Sequence, residues 1–129
     1  MPRPTPFRTR LTMCALMTTA ALGASGCGAE EPAAPAAGGR VAIALDEYFV
    51  RPQAVRAGTG RLEIALTNRG RLPHQLHLRR RRREVIEART LMPGESTRVA
   101  AALPRGRYTL VCAISNHAEL GMYGSLVVR

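Results

Sequence analysis

The segment RLEIALTN, residues 61–68, alternates apolar and polar side chains: Leu62, Ile64 and Leu66 share one face and Glu63 lies on the other. Period two marks a strand with one buried face, whereas a helix needs apolar positions every three or four residues. The same texture recurs in RVAIALDEYFV, HQLHLR, REVIEARTL, TRVAAAL, PRGRYTLVCAI and GSLVVR. Turn residues separate these runs: Pro52, Gly58 and Gly60, Pro73, the Pro93-Gly94 pair, Pro104 with Gly106, then Gly121 and Gly124. Seven to eight short strands at such intervals predict an all-β chain folded as a β-sandwich. One helical turn, around residues 115–120, is the only helix the pattern accommodates.

The N-terminus obeys other rules. MPRPTPFRTR is basic and free of acids, and LTMCALMTTAALGA is an uncharged, mostly apolar run of 14 residues. That run is too short to span a bilayer and has the charge order of a secretory signal. ASGC follows, ending at Cys27. It resembles the lipobox of bacterial lipoproteins, which implies export, cleavage before Cys27, lipidation of its thiol and anchoring at the outer face of the cell membrane. GAEEPAAPAAGGR has no apolar periodicity and reads as a flexible tether. The expected organisation is a signal over 1–26, a tether over 27–40 and one domain over 41–129. A domain of that size holds one small core and leaves no room for a multi-domain enzyme.

Three cysteines remain to be explained. Cys14 lies in the signal and Cys27 at the lipidation position, so Cys112 is left without a disulfide partner. A lone thiol in an exported domain is open to oxidation unless something occupies it, and a metal would. From residue 27 onward the chain has sixteen arginines, no lysine and nine acids, a net +7. The charge concentrates in Arg79–Arg83. That run suits a solvated hairpin or docking to an acidic surface. Nucleic acid is not expected as a partner, because no aromatic stacking platform accompanies the arginines.

CAISNHAELGM, residues 112–122, spaces Cys112, His117 and Met122 five positions apart. On a helix five residues advance by roughly 140° and ten by roughly 280°, so the three would diverge. On a strand an odd spacing puts neighbours on opposite faces. They converge only if a loop curls back between two strands, and Ser115-Asn116, Gly121 and Gly124 are placed to allow it. HQLHL offers a fourth donor. His74 shares parity with Leu76 and Leu78 and points to the core; His77 has the opposite parity and is expected to face solvent. Tyr108, Leu110 and Cys112 share parity, which turns the thiol inward. Two imidazoles, a thiolate and a thioether suit one copper ion, in the trigonal arrangement with a weak axial methionine used for electron transfer.

The chain resembles the small cupredoxins, the type 1 blue copper proteins. The family's Y-x-x-x-C, short loop, G-H, G-M-x-G-x-L-x-V motif stands here as YTLVCAISNHAELGMYGSLVV. The upstream stretch YFVRPQAVRAGTGRLEIALTNRGRLPHQL and the turn LMPGES fit as well, so the likeness spans about residues 41–129. It implies a Greek-key sandwich and the metal ligands His74, Cys112, His117 and Met122. Asn116 departs from the usual glycine before the second histidine, and Gln75 from the asparagine common after the first.

The function expected is one-electron transfer by a monomer, and the resemblance implies His117 as the electron port, rimmed by Leu72, Pro73, Leu120 and Met122. Redox partners would be a membrane oxidase or reductase. Copper buffering or delivery in the envelope is the alternative reading. An enzyme is not expected, since no second histidine cluster accompanies the first. Tyr48 and Tyr108 read as core aromatics.

Overall fold

The computed structural model describes residues 32–129; the leader, Cys27 and the first residues of the tether lie outside that range. Ten strands make two sheets: β1 (Ala34–Pro35), β2 (Arg40–Asp46), β3 (Phe49–Arg51), β4 (Ala54–Ala57), β5 (Gly60–Asn68), β6 (Leu76–Arg80), β7 (Arg83–Glu87), β8 (Ser96–Leu103), β9 (Gly106–Cys112) and β10 (Tyr123–Val128). One sheet runs β1-β4-β10-β9-β6-β7 and the other β3-β2-β5-β8. The fold is the expected all-β sandwich of Greek-key type. The two strands beyond the expected eight are short pieces at sheet edges, β1 and β3.

Period-two patterning explains the core. Along β5, Leu62, Ile64, Leu66 and Asn68 are buried and the residues between them are not. Ile43 and Leu45 of β2 lie beside them, and Val55, Leu76, Leu78, Tyr108, Leu110, Leu126 and Val128 come from the other sheet. Truncating a fully buried residue such as Leu66 or Leu110 to alanine costs about 2–5 kcal/mol. Tyr108 is a core aromatic, as expected, and its hydroxyl donates to Pro104 O at 2.6 Å.

Two expectations need correction. Residues 34–37 are part of the fold, although their composition reads as tether. Ala34 and Pro35 pair with Val55 and Arg56, and Ala36 N donates to Arg56 O at 2.7 Å. The outer edge of β4 offers free backbone groups, and these residues take them up. His77 is the second. Its parity is opposite to that of Leu76 and Leu78, yet it is buried, at 7 % exposure. Glu84, from the same hairpin, folds over it with Oε1 2.8 Å from Nδ1, and Val111 is its ladder neighbour. An outward-facing position on an inner strand is thus roofed by longer neighbours.

The strand directions separate two ends. β6 pairs Leu76 with Cys112 at one end and Arg79 with Thr109 toward the other. The arginine hairpin therefore sits away from Cys112. There Arg79 pairs with Glu84, and Arg80 donates to Arg105 O and lies over the Tyr108 ring.

Candidate metal centre

β9 ends at Cys112 and β10 begins at Tyr123, with Val111 opposite Tyr123 in the ladder. The ten intervening residues must therefore leave and return at one place. Cys112 N donates to Met122 O at 3.0 Å, and Met122 N donates to His117 O at 3.0 Å. Left-handed backbone at Ser115 (φ 47°) and Gly121 (φ 110°) lets the chain curl. Turns fill the loop in place of the single helical turn expected around residues 115–120. Of the break residues read from the sequence, Ser115 and Gly121 bend the loop, whereas Gly124 is a ladder residue of β10 opposite Leu110.

The second loop arrives from β6. His74 precedes the strand and is pinned to Leu91 by paired backbone bonds, His74 N to Leu91 O at 3.0 Å and Leu91 N to His74 O at 2.8 Å. Gln75 joins the two loops that carry the clustered donors. Its carbonyl accepts from Ala113 N at 2.9 Å, while its side chain donates to Ala88 O at 3.0 Å.

His74, Cys112 and His117 come together, one donor atom of each lying within 4.8 Å of the others. Cys112 Sγ is 3.6 Å from His117 Nδ1, and the two imidazole centroids are 5.2 Å apart. Met122, just before β10, is fully buried and its backbone bonds to both Cys112 and His117. His77 is not part of the cluster. Met122 does not rim the surface, as expected of it; Leu72 and Leu120 are the exposed loop residues, at 39 % and 51 %. His117 is the least covered of the three clustered donors, at 6 % exposure against 2 % for Cys112 and 0 % for His74.

The donor set has the electronic state a cation needs. His74 Nδ1 is buried with no hydrogen-bond partner, which is costly for a polar atom unless something occupies it. Burial pushes the His117 imidazole below its ordinary range, assisted by His74 and opposed by Glu47, which favours the neutral ring that a metal binds. Soft sulfur with two imidazoles fits copper; zinc seldom takes a thioether.

Sequence reasoning missed the frame behind the ligands. Glu47 Oε1 accepts from Arg71 N at 2.7 Å, Leu72 N at 2.9 Å and His74 Nε2 at 3.0 Å. The Leu72 amide, then the Arg71 amide and His74, hold its carboxyl below the usual carboxylate range against the opposing effect of burial. Tyr48, beside it, meets the His117 ring edge-on at a centroid distance of 5.0 Å. Asn68 is fully buried and its amide donates to Leu72 O and Leu91 O, both at 2.8 Å, while its Oδ1 accepts from Gly70 N at 2.9 Å. Asn68, Gly70 and His74 all lie in the upstream stretch that carries the resemblance, NRGRLPHQL. Glu47, 27 residues from His74, carried no local signal.

A sulfocyanin (SoxE) domain family matches residues 84–129. No curated protein matches in sequence. Among solved structures the chain is similar to the dithionite-reduced auracyanin of the photosynthetic bacterium Roseiflexus castenholzii (17 % identity, TM-score 0.65, 70 % of this chain and 97 % of that one). It is also similar to auracyanin B (16 %, 0.63, 78 % and 93 %) and to reduced rusticyanin (16 %, 0.57, 74 % and 83 %).

Proposed function

We propose that this chain, a small protein of cupredoxin fold, carries single electrons on one copper ion that His74, Cys112 and His117 would hold together with Met122. The observation that carries the reading is the convergence of three buried donors, one of them the orphaned Nδ1 of His74. Copper bound there supplies a Cu(I)/Cu(II) couple. The chain's own residues do the rest. Cys112 offers a thiolate, and its amide is tied to Met122 O, which fixes the sulfur relative to the loop. Two sheets clamp both ligand loops, so the donors hold one geometry through a change of oxidation state. Water is excluded from Cys112, His74 and Met122, and the edge of His117 is left as the route for the electron. Small, weak encounters with a redox partner suit such a carrier.

The depth of the donors favours holding copper over handing it on, which sets electron transfer above delivery. Export and anchoring through Cys27 belong to the same proposal; the basic leader, the apolar run and ASGC support them. Partners would then be membrane oxidases or reductases, met by a monomer.

Visible absorption tests the reading. The domain with Cu(II) added is expected to develop an intense thiolate-to-copper band that bleaches with reductant and returns with oxidant. A folded protein that takes up Cu(II) with Cys112 unmodified and no such band overturns it.

A further inference from the structure

Among the described residues, Glu47 is the one carboxylate bonded to the donor cluster, and it approaches from behind. Its Oε1 faces His74 Nε2 at 3.0 Å, while the opposite ring nitrogen, Nδ1, is buried without a partner on the cluster side. A neutral imidazole carries one N–H. The carboxylate accepts, so the proton belongs on Nε2 and the lone pair of Nδ1 faces the cluster. The carboxylate is itself held: Arg71 N and Leu72 N donate to the same oxygen at 2.7 and 2.9 Å. The backbone is also shaped to admit it. A Cβ on Gly70 would collide with the Glu47 carboxylate and lie 2.9 Å from His74 Nε2, so only glycine leaves this contact room.

We propose that Glu47 is a positioning residue that sets the tautomer and electron-donating strength of His74, and through it the reduction potential of the centre. The inference rests on the copper reading above. A carboxylate on the far nitrogen of a ligating imidazole makes the ring more basic, and losing such a partner typically costs 10–100-fold in metal affinity. Added negative charge favours Cu(II), the more highly charged state, over Cu(I). Glu47 thus holds the potential down. A brace that only shaped the loop would leave the couple unchanged when its charge alone is removed.

Glu47→Gln makes that separation, because the amide oxygen can still accept all three N–H groups while the charge is gone. The experiment measures the visible band, the Cu(II) and Cu(I) affinities and the potential of wild type, Glu47→Gln and Gly70→Ala. Glu47→Gln is expected to keep the band and weaken Cu(II) binding about tenfold relative to Cu(I), a rise of about 59 mV. Gly70→Ala leaves the carboxylate in the chain but pushes it from His74, and is expected to raise the potential in the same direction. A wild type with no thiolate band overturns the copper reading and this inference with it. A wild type with the band and a potential unchanged in Glu47→Gln overturns the role of Glu47 alone. Unchanged potential in a folded, copper-loaded Gly70→Ala does the same.

Discussion

His74 is seated by residues from three separate stretches of chain: Glu47 behind the ring, Asn68 and Gly70 bracing the loop and leaving it room, and Leu91 pairing its backbone. His117 is carried by a single loop, residues 112–122, closed by that loop's own backbone bonds and touched from outside by the Tyr48 ring. Directional hydrogen bonds fix the first; curvature and packing fix the second. The difference matches where each ring sits. The buried histidine needs its polar edge satisfied, because an unpaired N–H in an apolar interior is costly. His117, buried but the less covered ring at 6 % exposure, is held by its own loop and by the edge contact of Tyr48. Residues 47 and 48, adjacent in sequence, serve one histidine each.

The comparison can be broken at either region. Cys112→Ala removes the thiolate on which both depend, so the visible band is expected to vanish; a surviving band would refute the ligand assignment. Asn68→Ala strikes the first region only. It takes the donor from Leu72 O and the acceptor from Gly70 N, while Leu91 O keeps His74 N, and a buried group left unpaired costs about 1–3 kcal/mol. Urea unfolding should register that loss, and the copper-loaded protein should bind metal less tightly; wild-type stability would mean the frame is redundant. Met122→Leu strikes the second region. It is expected to keep copper and raise the potential by on the order of 59 mV, a tenfold change in preference. Loss of copper would make Met122 more than an axial ligand. His77→Ala, outside both, should leave the spectrum and potential unaltered, and a spectral change would bring His77 back into consideration.

The same contrast governs what could be read in advance. The loop from Cys112 to Met122 is contiguous, so spacing and strand parity were enough to show that only a curled loop could gather its donors. Strand parity also chose His74 over His77, because period two fixes which face a side chain takes. Parity does not fix what lies over that face, and His77 is buried under Glu84 for that reason. Glu47 was illegible on different grounds. Its contact is made across sheets, between the end of β2 and the loop before β6, and nothing local in DEYF distinguishes a carboxylate on a histidine from a solvated one. The paired residues 34–37 escaped as well, since alanine and proline carry no strand signal and join β4 only because its edge is free.

That pairing at Ala34 has a mechanical consequence. Only seven peptide units separate Cys27 from the first residue woven into the sheet, and an extended chain gains at most about 3.6 Å per residue, so the leash is no longer than roughly 25 Å. A fourteen-residue tether would have allowed twice that. Were Cys27 anchored to a surface, as proposed above, the domain could pivot but not roam. It would exchange electrons only with partners whose docking face stands within about one domain's breadth of that surface.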